Sequence, residues 1–161
     1  MRGVDQSETG ESETMQDSDL TEAEPRTYDL SEEALHPRPR TVLMLEDDEG
    51  FALALKETLE QQDYRVTIVP SGTQGIEQVL ARDFDVILCD MVMPNFPGDM
   101  FYLAVQRARP HLCDRFVFMT GYQSDPKVSE FLKGVGHRVL WKPFAMRDLF
   151  EVLETLTSRS R

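Results

Sequence analysis

The run Phe84-Asp85-Val86-Ile87-Leu88-Cys89 is almost wholly apolar, and it stops at the carboxylate of Asp90, where Met91-Val92-Met93-Pro94 begins a turn. A run of this length, rich in β-branched and large aliphatic residues, reads as a strand buried on both faces. Such strands belong to parallel sheets with helices packed on each side. Ligands bind these sheets at the carboxyl ends of the strands. Asp90 therefore sits on the edge where a site forms, if the rest of the chain supplies the sheet.

The rest of the chain alternates as that sheet requires. Val42–Leu45, Tyr64–Val69, Phe116–Met119 and Arg138–Trp141 read as four more strands. Between them, apolar residues recur at helical spacing. Phe51, Ala52, Leu55 and Leu59 mark a first helix, and Ile76, Val79 and Leu80 a second, with Ser71 as its cap. The third runs from Gly98 to Arg109 with Phe101, Ala104, Val105 and Ala108 as its apolar face. Asp125-Pro126 is a cap followed by a first-turn proline, opening a fourth helix that ends near Gly134. Met146, Leu149, Leu153 and Leu156 stripe a last helix. The predicted fold is α/β, a doubly wound five-stranded parallel sheet flanked by five helices.

Residues 1–40 differ. They hold eleven acidic residues and four arginines among few large apolar ones, too little apolar surface to offset the entropy of ordering. They read as an acidic disordered tail or linker, with Tyr28 to Leu35 as the one stretch suited to docking, and residues 41–161 as the domain. A net charge of −12 disfavours binding to nucleic acid or an anionic membrane surface. No apolar segment is long enough to be a secretory signal or to span a bilayer, so the expected location is cytoplasmic. Cys89 and Cys113 have no metal-ligand spacing and read as buried free thiols.

Polar residues of distinct chemistry follow the strands: Glu46 and Asp47 the first, Asp90 the third, Thr120 the fourth, Lys142 the fifth. Taken singly, each has an ordinary reading as a helix cap, a turn residue or a solvated lysine. Taken together on one edge, the carboxylates repel one another unless a cation is present. Carboxylates without His or Cys suit Mg²⁺, which favours sites completed by phosphate oxygens. A carboxylate can itself accept a phosphoryl group, with a lysine and a threonine hydroxyl holding the remaining oxygens.

Glu46-Asp47, Asp90-x-x-Met93-Pro94-x-x-x-Gly98, Thr120-Gly121 and Lys142-Pro143-Phe144 occur in this order over residues 41–157. In order and spacing this stretch resembles the response-regulator receiver domain of two-component signalling, the CheY-like, flavodoxin-like type. The resemblance implies that Asp90 is the phosphoacceptor. It implies that Asp47 ligates Mg²⁺ directly, Glu46 through a water, and Val92 through its backbone carbonyl. Lys142 pairs with the carboxylate and then with the phosphoryl group, Thr120 donates its hydroxyl to that group, and Gly121 leaves room for it. The Lys142–Pro143 bond is cis in the family. The implied donor is a histidine kinase or a histidine phosphotransfer protein. The output surface is residues 124–157, used by a downstream protein partner or a second copy of the chain. Asp48, one position beyond the matched pair, reads as solvated or as a helix cap.

The sequence departs from the family at the switch position three residues before the lysine, where an aromatic is usual and Val139 stands. Trp141 lies on the same strand face by the two-residue period; it is a candidate to replace that aromatic, the alternative being the plain packing usual for a strand-edge tryptophan. Val92 and Tyr122 occupy the positions that tune phosphoryl lifetime, and an apolar and a bulky residue there predict slow loss. With only twenty residues after Trp141, no DNA-binding module is expected in this sequence. The chain is expected to be a signalling phosphoacceptor, not an enzyme acting on other substrates. The competing reading is a receiver-shaped interaction module independent of phosphorylation, favoured by Val139. A phosphatase of the aspartyl-nucleophile type is disfavoured, because the general acid it needs two residues after the nucleophile is replaced by Val92.

Overall fold

The computed structural model describes residues 38–122, 124–136 and 138–158. The assignment of residues 1–40 to a tail falls, for residues 1–37, outside the described residues. The strands are β1 (Arg40–Leu45), β2 (Tyr64–Val69), β3 (Val86–Asp90), β4 (Phe116–Thr120) and β5 (Arg138–Trp141). The α-helices are α1 (Glu49–Glu60), α2 (Gly72–Ala81), α3 (Gly98–Ala108), α4 (Pro126–Val135) and α5 (Met146–Ser158). The strands form one sheet of order β2-β1-β3-β4-β5, and every neighbouring pair is parallel. The sequence expectation of a doubly wound sheet with five α-helices holds. β1 begins at Arg40 and so takes in the last residue of the stretch assigned to the tail.

Strand alternation divides the core into two layers. Leu43, Leu45, Ile87, Cys89, Phe116 and Phe118 face α2, α3 and α4, meeting Val79, Phe101, Val105, Val128 and Leu132. Val42, Met44, Val86, Leu88, Val117, Met119 and Leu140 face α1 and α5, meeting Leu55, Leu59, Leu149, Leu153 and Leu156. β3 is buried along its whole length, because both layers cover it. Among the described residues, no helix is long and apolar enough to cross a membrane.

Three details differ from the sequence expectation. On α3 the buried face is Phe101, Tyr102 and Val105, while Ala108 is exposed. The Tyr102 ring meets Phe116, Phe118 and Phe131 edge-on at centroid separations of 5.1, 5.9 and 5.7 Å, a larger apolar contact than any alanine offers. Its hydroxyl is paired with the Cys113 thiol, and burial pushes its pKa up to about 12. Leu80 of α2 is 56% exposed, and the helix instead packs Gly72, Gly75 and Val79 inward. α4 continues to Val135, one residue beyond the expected end, because Gly136 at φ +63° supplies the left-handed cap. A 3₁₀ helix, Pro110–Arg115, precedes β4; Pro110 cannot continue α3 and starts the tighter turn.

The caps behave as the sequence indicates. Ser71 accepts from the Gln74 amide at 3.4 Å, and Asp125 accepts from the Lys127 and Val128 amides with Pro126 behind it. Asp48 is a cap, its Oδ1 accepting from the Phe51 amide at 3.0 Å.

At the opposite end of the sheet, Asp85 joins β1 to the start of β3. Its carboxylate accepts from the Thr41 amide at 2.8 Å, the Thr41 hydroxyl at 2.9 Å and both Arg38 terminal nitrogens at 3.1 Å. Burial alone would raise this carboxyl, but the hydrogen bonds from Thr41 and Arg38 outweigh it and hold its pKa below the ordinary value.

Candidate functional site

The sheet register decides which strand ends meet. Leu45 pairs with Cys89, so the next residues, Glu46 and Asp90, lie side by side. Asp90 pairs with Met119, which brings Thr120 to the same edge, and Thr120 pairs with Trp141, which brings Lys142 there. Backbone bonds close the edge: the Lys142 amide donates to the Thr120 carbonyl at 2.9 Å and the Met91 amide to the Met119 carbonyl at 3.0 Å. The Lys142–Pro143 peptide bond is cis.

The side chains converge on Lys142. Its Nζ donates to Glu46 Oε2 at 2.7 Å and to Asp90 Oδ2 at 3.3 Å. Glu46 and Asp90 are buried, while Asp47 is exposed. Burial pushes the Glu46 carboxyl above its ordinary value, and the hydrogen bond from Lys142 offsets only part of this. For Lys142, burial favours loss of the proton, but the hydrogen bond to Glu46 and the charges of Asp90 and Glu46 prevail, so its pKa is raised and it stays an ammonium. Carboxylate oxygens of Glu46, Asp47 and Asp90 lie within 4.8 Å of one another. Three carboxylates against one ammonium, with no nitrogen or sulfur ligand among them, suit a hard divalent cation. Cys89 is adjacent in sequence but is no ligand: it is fully buried, burial pushes its thiol far up, and it remains protonated. Cys89 and Cys113 are both free and buried, as the sequence indicates.

The loop after Asp90 is held close to the strand. The Val92 amide donates to Asp90 Oδ1 at 3.1 Å, orienting the carboxylate, and the Gly98 amide donates to the Met91 carbonyl at 3.1 Å. Gly98 has to be a glycine, since a Cβ there would lie 2.5 Å from the Asp90 carbonyl oxygen. Asn95 takes φ +65°, a conformation asparagine tolerates better than most residues. Phe96 lies across Gly72, where an added Cβ would fall 1.8 Å from a ring carbon, so the loop rests directly on the α2 backbone.

Thr120 is fully buried, and its hydroxyl accepts from the Tyr122 amide at 3.1 Å instead of joining the carboxylates. Gly121 is exposed; a Cβ there would come no nearer than 4.0 Å to Lys142. Val92 and Tyr122 flank the edge at 38% and 54% exposure. Val139 and Trp141 both pack against the layer that holds Phe118 and Leu132, and Trp141 is in register with Thr120. The period-two placement of Trp141 on the Val139 face is therefore met.

One participant escaped the sequence reading. The Phe51 ring centroid lies 4.6 Å from Lys142 Nζ, and the ring also meets Phe144 edge-on at 6.2 Å. In sequence Phe51 is only the first apolar residue of a helical stripe, and it stands 91 positions before Lys142, so the contact leaves no local trace.

The match to known proteins covers the same region. The response regulator receiver domain matches residues 42–154. The chain is 28% identical over 117 residues to the response regulator receiver protein CpdR of Brucella abortus, covering 73% of this chain and 96% of CpdR. It is 27% identical over 120 residues to the transcriptional regulatory protein RprY of Bacteroides fragilis, covering 74% of this chain but only half the length of RprY. The structure resembles the non-phosphorylated HemR receiver domain of Leptospira biflexa with a TM-score of 0.65 at 27% identity, covering 76% of this chain and 97% of that one. A five-stranded parallel sheet with its acids and lysine on one edge, matched by family from β1 into α5, leads to one assignment: the chain belongs to the response regulator receiver domain family of two-component systems.

Proposed function

We propose that Asp90 is a phosphoacceptor, taking a phosphoryl group from a phosphohistidine on a histidine kinase or a histidine phosphotransfer protein in the cytoplasm. The observation that carries this reading is the ammonium of Lys142 beside Asp90 Oδ2 at 3.3 Å, within a cluster of acids close enough to share one cation. A carboxylate oxygen of Asp90 forms the new P–O bond while the P–N bond of the donor breaks and the imidazole carries away the bonding pair. Glu46, Asp47 and Asp90, with the backbone carbonyl of Val92, are the groups that would hold Mg²⁺. Bound there, Mg²⁺ supplies positive charge against the phosphoryl oxygens.

The remaining work falls to this chain's own groups. Lys142 neutralises a phosphoryl oxygen once Asp90 no longer offers it a free carboxylate. The Thr120 hydroxyl leaves the Tyr122 amide and turns to the phosphoryl group, with Gly121 leaving space for it. The chain promotes only its own phosphorylation and dephosphorylation and has no separate substrate. The added charge then biases the surface formed by residues 124–157, through which a protein partner or a second copy binds. Trp141, in register with Thr120, takes the place of the aromatic that Val139 lacks.

The test is phosphotransfer from a panel of labelled phosphohistidine donors to wild type and to Asp90→Ala. Label is expected on wild type alone, and label that persists on Asp90→Ala rules out Asp90 as the acceptor. An apolar Val92 and a bulky Tyr122 at these positions are expected to hinder the attacking water, so the acyl phosphate is expected to be long-lived; a half-life of seconds with Mg²⁺ overturns that point. A phosphorylation-independent module predicts instead that acetyl phosphate and BeF₃⁻, each with Mg²⁺, leave Trp141 fluorescence unchanged.

A further inference from the structure

We infer that Phe51 is a positioning residue for Lys142, a role that rests on the phosphoacceptor reading above. An ammonium has three N–H donors. Two of those on Lys142 point at Glu46 and Asp90, at 2.7 and 3.3 Å. The aromatic face of Phe51, 4.6 Å away, covers the cation on a further side. The electron-rich face of a ring attracts a cation, and does so more strongly where water is excluded.

Three features hold the ring there. Asp48 caps α1 through the Phe51 amide, which fixes the helix start at Glu49, directly after the cap. The Phe144 ring meets Phe51 edge-on, so the residue after Lys142-Pro143 braces the same contact. Phe51 and Lys142 together wall a groove of about 490 Å³ between α1 and the start of α5, with Leu55 and Phe144. Lys142 keeps 24% of its side-chain surface exposed, so removing the ring opens the ammonium to that groove.

The contact suits a lysine that must change partners. Lys142 is nearer Glu46 than Asp90 before phosphorylation. Once Asp90 carries a phosphoryl group, the ammonium moves toward it. A hydrogen-bonding side chain in place of Phe51 would bind the ammonium in one direction. A ring face attracts it over a broad area and lets it shift between carboxylate and phosphoryl oxygen without losing this third contact. Leucine or methionine fills the volume but has no π face.

The experiment compares wild type with Phe51→Leu, Phe51→Met and Phe51→Tyr in the full chain. Lys142 side-chain resonances are followed by NMR, phosphorylation by acetyl phosphate with Mg²⁺ is followed across acetyl phosphate concentrations, and melting is recorded alongside. Phe51→Leu and Phe51→Met are expected to abolish the ring-current shift of the Lys142 side chain. They should lower the maximal phosphorylation rate by about threefold to thirtyfold, the span of cation–π attraction from exposed to desolvated sites. The acetyl phosphate concentration at half-maximal rate should change by less than about twofold, because the remote contact acts through Lys142. Phe51→Tyr keeps the ring and should restore both readouts. Lys142 resonances that do not move in either aliphatic variant, or a maximal rate within twofold of wild type, overturn the inference. If one aliphatic variant fails to fold, the other is decisive. Failure of wild type itself to accept a phosphoryl group removes the phosphoacceptor reading, while the NMR comparison still decides whether the ring holds the ammonium.

Discussion

Gly98 belongs to the stretch Asp90-x-x-Met93-Pro94-x-x-x-Gly98, and its place in a motif says nothing of what requires it. In the fold it lies against the strand end it follows, with Cys89 Sγ and Met91 Cα each 3.0 Å from where a Cβ would stand and the Asp90 carbonyl oxygen nearer still. Gly98→Ala is therefore expected to cost about 1–3 kcal/mol, the usual penalty for overpacking a site whose neighbours are backbone. Urea unfolding checks this, and a loss under half a kcal/mol, which is about the noise for surface changes, refutes it. Lys142 illustrates the same dependence on neighbours. Its identity is visible in the sequence, but its raised pKa comes from Glu46, 96 residues away in the chain.

At the scale of elements, Asp85 shows how two strands are fastened at the end remote from the site. In sequence it is the one polar residue of an apolar run. In the sheet it accepts from Thr41 and Arg38, and its folded pKa lies below the ordinary 3.8. The unfolded chain thus binds this proton more readily than the folded one. The contribution to stability is complete above about 3.8 and is lost as pH falls through the lower folded value. Asp85→Asn should lose about 1–2 kcal/mol at neutral pH. Its stability should also fall less steeply than wild type's between pH 5 and pH 2, a window set about the carboxylate range. Parallel curves for the two proteins refute the assignment. Arg38→Ala should cost less than about 1 kcal/mol, because the guanidinium is 74% exposed and water screens the pair. On α3, burial of Tyr102 in place of Ala108 follows from β4, whose Phe116 and Phe118 present an aromatic surface that helical periodicity in α3 cannot reveal.

At the scale of the whole molecule, the carboxylates on the sheet edge couple cation binding to folding, since the unfolded chain does not gather Glu46, Asp47 and Asp90. Mg²⁺ at ten times its dissociation constant should raise unfolding free energy by about 1.4 kcal/mol. Asp47→Ala should lose most of that increment, and its removal with a chelator should return wild type to the metal-free value. Unfolding curves with and without Mg²⁺ decide it, and an equal rise in both proteins shows that the cation binds elsewhere. Trp141 is the chain's only tryptophan and stands in register with Thr120, so its fluorescence should respond to BeF₃⁻ with Mg²⁺ and lose that response in Asp90→Ala.

Alternation of apolar strands with helical stripes was enough to specify the parallel sheet and its five α-helices, because period and burial are local properties of a segment. It was enough also to put Glu46, Asp47, Asp90, Thr120 and Lys142 on one edge, because every strand of a parallel sheet ends on the same side. Register lay beyond it. Only the pairing of Leu45 with Cys89, Asp90 with Met119 and Thr120 with Trp141 determines which of those groups touch. That pairing set Lys142 between Glu46 and Asp90, turned the Thr120 hydroxyl to the Tyr122 amide, and brought Phe51 over the ammonium. Contacts of this kind join residues distant in the chain through side-chain shape and charge, and they exist only once the two core layers have closed on the sheet.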